Sequence, residues 1–141
     1  MKIFVDSWGW LTLGDSLERQ HHPVSEFYRK QVLSKSILVT SDFVLDETIT
    51  RVFKRRPFPD AWRFVSDIIS AQAAELLRVE RIHERRFTTA LQLRKRYSDK
   101  PRISFTDLTS MALMRELDIT DVLTANEHFR QVGLGFRLLP E

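Results

Sequence analysis

An α/β domain of three layers, with a short and mainly parallel sheet between helices, is the fold class this sequence predicts. Three observations predict it. Short runs rich in branched apolar residues alternate with stretches of helical spacing, the order that builds a parallel sheet with helical crossovers. The first run, Ile3-Phe4-Val5, ends directly in an acid, Asp6. A length of 141 residues with 43% hydrophobic content suits a single domain, residues 1–141, and no repeat, low-complexity stretch or long linker divides it.

Lys2–Val5 is a strand, apolar after its first residue, and Trp8 to Leu17 forms a helix or an ordered loop. Pro23 suits the first turn of a helix to about Ser34, with Val24, Phe27, Tyr28, Gln31 and Val32 at helical spacing. Ile37–Thr40 is a second strand, rich in branched residues. Ser41 then caps a helix to about Arg55. Pro57 and Pro59 break the chain, and Asp60 caps a helix from Ala61 to about Glu75. Leu76–Val79 is a weak third strand, and His83–Tyr97 a helix that Ser98-Asp99-Lys100-Pro101 breaks. Ser104 opens a helix through Leu117; Ile119–Thr124, Glu127–Val132 and Phe136–Leu139 complete the order as strand, short helix and strand.

Bulk properties exclude several classes. Without cysteine there are no disulfides and no thiolate metal sites, and a reducing cytoplasm is the simplest home. The opening residues carry no secretory leader pattern, and no apolar run approaches the roughly 20 residues of a membrane span, so no membrane partner is expected. The net charge is +3, with a pI near 9.5. Its distribution says more: Arg51, Lys54, Arg55 and Arg56 close one helix, while Arg81, Arg85, Arg86, Arg94, Lys95 and Arg96 stud another. These read equally as solvated helix faces and as a footprint for nucleic acid.

A strand that ends in an acid places a carboxylate at the carboxyl edge of the sheet, where open α/β folds bind ligands. Three later positions are placed to meet Asp6: Glu47 in Ser41-Asp42-Phe43-Val44-Leu45-Asp46-Glu47, Asp107 in Ser104-Phe105-Thr106-Asp107, and Asn126 in Leu123-Thr124-Ala125-Asn126-Glu127-His128-Phe129. Each has a structural explanation by itself. Asp6 can cap a turn, Asp107 completes a near capping box with Ser104, and Glu47 stands four residues before Arg51. Together they make a carboxylate cluster that repels itself unless a cation sits among them, which points to divalent-metal chemistry on phosphate. His21, His22, His83 and His128 lack zinc-protease spacing, and there is no nucleophile elbow or phosphate-cradling glycine loop. Trp8 and Trp10 lie close enough to Asp6 to flank a substrate path, whereas Phe53, Phe58 and Trp62 are candidates for a dimer or partner surface.

These segments, in this order and spacing, resemble the PIN-domain ribonucleases, in particular the small VapC-type toxins of bacterial and archaeal toxin–antitoxin pairs. The resemblance covers nearly the whole chain. It implies a PIN-like fold and metal-dependent hydrolysis of RNA phosphodiesters. It places Asp6, Glu47 and Asp107 at the acidic positions that organise Mg²⁺ or Mn²⁺. Asn126 stands where the family commonly has a fourth acid, contributing a carbonyl oxygen without charge. Thr124, and more weakly Ser7, would support the metal ligands. RNA as substrate, a cognate antitoxin as partner and a homodimer are implied on the same ground. Two alternatives stay open: a non-catalytic RNA- or protein-binding module, which Asn126 favours, and a nuclease of housekeeping RNA maturation.

Overall fold

The computed structural model describes residues 1–141 as five parallel strands and seven helices in a three-layer α/β/α arrangement. In chain order these are β1 (Lys2–Val5), α1 (Ser7–Leu13), α2 (His21–Leu33), β2 (Ile37–Ser41), α3 (Asp42–Arg55), α4 (Phe58–Ala73), β3 (Arg78–Glu80), α5 (Glu84–Arg96), α6 (Phe105–Glu116), β4 (Asp121–Leu123), α7 (His128–Gln131) and β5 (Arg137–Leu139). The strand order is β3-β2-β1-β4-β5. The chain first builds outward from β1 on one side and then crosses to the other, so the switch point lies between β1 and β4. Val5 stands opposite Leu123 at that junction.

Ile3, Phe4 and Val5 are consecutive and all fully buried, as are Val122 and Leu123. A strand with both alternating faces buried has helices above and below, which is why these runs read as continuous rather than alternating hydrophobicity. The helix α6 is buried from Asp107 to Met114 and supplies Leu108, Met111, Leu113 and Met114 to the same core. No helix is long and apolar enough to cross a membrane.

Two strands begin later than their apolar runs predict, for one reason. Lys35, Glu75 and Asp118 adopt left-handed conformations, with φ of 60°, 60° and 54°, at the ends of the helices that precede β2, β3 and β4. The residue after each turns its N–H back to the helix: Ser36 to Gln31 O, Leu76 to Ala71 O and Ile119 to Met114 O. This termination geometry consumes Leu76-Leu77 and Ile119-Thr120, so β3 starts at Arg78 and β4 at Asp121. At the other end of the same helix, α4 begins at Phe58 rather than Ala61. Pro59 lies in its first turn, where a missing N–H costs nothing, and Asp60 is a first-turn acid rather than the cap.

The segment from Trp8 onward resolves as helix, ending at Leu13 before Gly14. It is pressed against the ends of β1 and β4: a Cβ on Gly9 would stand 2.8 Å from Leu123 O and 3.2 Å from a Val5 methyl. Trp10 is buried, donates its indole N–H to Thr40 Oγ1 at 3.1 Å, and Thr40 Oγ1 donates to Val5 O at 2.9 Å. That chain of contacts locks α1 onto the carboxyl edge of β1 and β2. Part of the basic charge on α5 is structural too. Arg94 donates to the carbonyls of Tyr97, Lys100 and Ile103, and Arg86 pairs with Glu116.

Candidate active site

Asp6 occupies the step between β1 and α1, in extended backbone with φ −82° and ψ 165°. Its N–H donates to Leu123 O and its carbonyl accepts from Trp10 N, so the residue is held from both neighbouring elements. The residue is 2% exposed. Thr124 Oγ1 donates to Asp6 Oδ2 at 2.8 Å, while Asp6 Oδ1 is buried and has no hydrogen-bond partner. Burial, and next the charge of Asp107, push the Asp6 carboxyl up to about 7; the Thr124 bond opposes them.

Asp107 enters from the first turn of α6, whose cap is the one its sequence predicts. Ser104 Oγ accepts from Asp107 N at 3.0 Å. The Asp107 carboxylate accepts from Asn126 Nδ2 at 3.0 Å and lies 3.4 Å from His128 Nδ1. Burial raises its pKa, the His128 and Asn126 bonds pull the other way, and Glu47 adds repulsion. Glu47 projects from α3, less buried than the two aspartates, and accepts from Ser7 Oγ at 2.6 Å with Arg51 Nη1 at 3.9 Å.

Asp6, Ser7, Glu47, Asp107 and Asn126 thus line one pocket of about 370 Å³, open to solvent. Thr124 completes the set by its bond to Asp6. The charges of Asp107 and Glu47 both raise the proton affinity of Asp6, and the charge of Glu47 raises that of Asp107, which places the three within one electrostatic site. They do not close into a ready cage: no three His, Asp or Glu side chains converge at metal-ligand spacing. Each is instead tied to its own neutral donor. Hard oxygen ligands, one of them an unpartnered buried Oδ1, are the donor set that suits Mg²⁺ or Mn²⁺.

Asn126 has a different bonding role from a free carbonyl ligand. Its Oδ1 accepts from His128 N at 3.0 Å while its Nδ2 faces Asp107. Flipping the amide would set donor against donor and oxygen against carboxylate, so the two neighbours fix its orientation. Asn126 N also donates to Thr124 Oγ1, which links Asp6, Thr124, Asn126 and Asp107 in one hydrogen-bonded run.

Of the basic cluster on α3, Arg51 and Arg55 line the pocket and Lys54 and Arg56 do not. Arg56 is turned to Asp15 at 3.1 Å and Asp60 at 3.8 Å, a structural pairing. Arg102 and His128 also line the pocket and were not singled out as site residues by sequence reasoning. Arg102 lies in a loop with no helical pattern to mark it. His128 has no zinc-protease spacing, and its place two residues after Asn126 is the signal that marks it.

The PIN domain model matches residues 3–134. Among solved structures, the chain is similar to VapC20 of Mycobacterium tuberculosis, a Sarcin-Ricin loop cleaving toxin, at 27% identity over 93% of this chain and 95% of that one, with a TM-score of 0.73. It is similar in fold to VapBC2 from Rickettsia felis bound to a DNA fragment from their promoter, at 14% identity, 98% and 97% coverage and a TM-score of 0.75. VapBC-1 from nontypeable Haemophilus influenzae shares the fold at 15% identity, 98% and 96% coverage and a TM-score of 0.67. No curated protein matched the sequence.

Proposed function

The chain belongs to the PIN domain family, and from that premise we propose that it is a divalent-metal-dependent endoribonuclease, the toxin of a toxin–antitoxin pair. The observation that carries the reading is the coupled carboxylate set, which includes the buried, unpartnered Asp6 Oδ1. The similarity to a Sarcin-Ricin loop cleaving toxin over 93% of the chain supports the substrate class.

Asp6, Glu47 and Asp107 would hold the cation, with Mg²⁺ the expected ion and Mn²⁺ its substitute. When bound, the cation supplies charge for the phosphoryl oxygens and acidifies the attacking water. The chain's own residues do the rest. Thr124 orients Asp6, Ser7 orients Glu47, and Asn126 with His128 orients Asp107. Arg51, Arg55 and Arg102 stand around the same pocket, where they neutralise the phosphates of a strand drawn toward an acidic centre. Asn126, engaged by Asp107 and His128, adds no carboxylate to the coupled set of Asp6, Glu47 and Asp107, which favours one tightly held ion.

RNA in the cytoplasm is the proposed substrate. A cognate antitoxin and a second copy of the chain are the proposed protein partners, in keeping with the VapBC relatives of the same fold. The test is cleavage of mixed cellular RNA by the purified chain with Mg²⁺, with Mn²⁺ and with excess chelator. Asp6→Asn, Glu47→Gln and Asp107→Asn should each abolish it. Cleavage that persists in chelator would refute the metal mechanism, and parental activity in any of the three variants would remove that residue from the set.

A further inference from the structure

Trp8 stands between two depressions at the carboxyl edge of the sheet. One is the carboxylate pocket; the other, of about 490 Å³, is bounded by Trp8, Gln20, Thr124, Ala125 and Pro140. The second hollow begins one side chain away from the reaction centre, since the Thr124 that helps wall it also bonds Asp6 Oδ2. Trp10, two residues on, is buried and spent on Thr40 and Tyr28, whereas Trp8 is half-buried against the core and still reaches both hollows.

The two hollows differ in charge. The first combines the carboxylates of Asp6, Glu18, Glu47 and Asp107 with Arg51, Arg55 and Arg102, the chemistry for a cation and phosphates. In the second, Glu127 is paired with Arg130 at 2.6 Å and Glu141 stands 3.8 Å from Arg137. No unpaired cation there would draw a phosphate. What remains is an indole, a leucine, a proline, an alanine, the Thr124 hydroxyl already given to Asp6, and the amide of Gln20, which makes no capping bond to the helix it precedes. An aromatic wall with one free amide is the chemistry that receives a planar, neutral, hydrogen-bonding ring.

We propose that this second hollow is a nucleobase subsite: the base adjoining the scissile phosphate leaves its stack, lies against Trp8, and is read on its edge by Gln20. The proposal rests on the ribonuclease reading and adds a specificity determinant to it. The hollow is large enough for a whole nucleoside. A strand whose phosphate lies among Asp6, Glu47 and Asp107 must pass Trp8 to leave on this side.

The test maps cleavage sites in mixed RNA, by sequencing the ends produced, for the parent, Trp8→Ala, Trp8→Phe and Gln20→Ala. The parent should show a base preference at one position next to the cleaved bond. Gln20→Ala should flatten the preference at that position alone. Trp8→Ala should lower kcat/KM on a preferred oligonucleotide roughly 10- to 100-fold, the worth of one stacked base, and Trp8→Phe should retain most of it. An oligonucleotide abasic at that position should cost the parent the same factor and cost Trp8→Ala nothing further. An equal Trp8→Ala loss on intact and abasic RNA would mark Trp8 as structural and overturn the subsite, as would an unchanged cleavage profile in Gln20→Ala. Either result leaves the ribonuclease standing; failure of the parent to cleave any RNA would overturn both.

Discussion

Thr124 Oγ1 and Asp6 Oδ2 meet at 2.8 Å across 118 residues of sequence, and the bond joins the ends of the two strands that flank the switch point. It leaves Asp6 with one oxygen satisfied by the protein and the other buried without a partner. A carboxylate so placed is stable when neutral or beside a cation, and costly otherwise.

That cost fixes a pH dependence. The folded Asp6 carboxyl, pushed up to about 7 from an ordinary 3.8, keeps a proton that the unfolded chain has released. Metal-free stability should therefore fall as pH rises from about 4 to about 7, by up to roughly 1.4 kcal/mol per pH unit from this group, and level off above. Asp107, raised for the same cause, adds to the slope. Thermal melts in chelator across this range should show the decline, and Asp6→Asn should flatten it while raising the melting temperature at pH 8. A parent whose melting temperature climbs from pH 4 to 7 would contradict the burial of an unneutralised carboxylate.

Thr124→Val keeps the volume and removes the donor to Asp6. The hydroxyl lowers the Asp6 pKa, so its loss should raise it further and weaken divalent-ion binding near pH 7 more than at pH 9. Calorimetric titration with Mn²⁺ at both pH values reads this out. Equal weakening at both would assign Thr124 a purely structural part.

Asn126→Asp replaces the amide that donates to Asp107 with a further carboxylate facing it. The metal-free variant should melt lower than the parent, and a divalent ion should raise its melting temperature by more. Identical metal-induced shifts in the two proteins would show that this side chain does not sense the ion.

Reversing the charge of Arg51, Arg55 and Arg102 together should weaken RNA binding and shallow its dependence on salt, by up to about one ion released per lost phosphate contact. Arg56→Ala should behave differently. It breaks the pair with Asp15, so stability should drop while the salt slope stays. Filter binding across a salt series, with melts of each variant, separates the two; a shallower slope for Arg56→Ala would return that residue to the RNA surface.

Gly9→Ala adds a helix-favouring residue and should nonetheless destabilise the protein by roughly 1–3 kcal/mol, because the new methyl would lie 2.8 Å from the Leu123 carbonyl oxygen. The displacement of α1 should also lower RNA cleavage, since Asp6, Ser7 and Trp8 move with it. Denaturant unfolding reads the first effect; an unchanged midpoint would mean that α1 can shift without strain.

The sequence by itself determined the alternation of strands and helices, the parallel sheet, the Ser41 and Ser104 caps, and the placement of Asp6, Glu47 and Asp107 at one edge of the fold. Those features are written within a few residues of each other, as branched runs, capping hydroxyls and acids at strand ends. The tertiary structure decided which polar groups meet. Nothing local distinguishes Arg55, at the pocket, from Arg56, paired to Asp15 41 residues away. Nothing local assigns Ser7 to Glu47 or Asn126 to Asp107. The starts of β3 and β4 were likewise hidden, because Leu76 and Ile119 are apolar enough for a strand yet their N–H groups close a helix. Partners set by strand order and by the angle at which α1, α3 and α6 reach the sheet become visible only when the chain is folded.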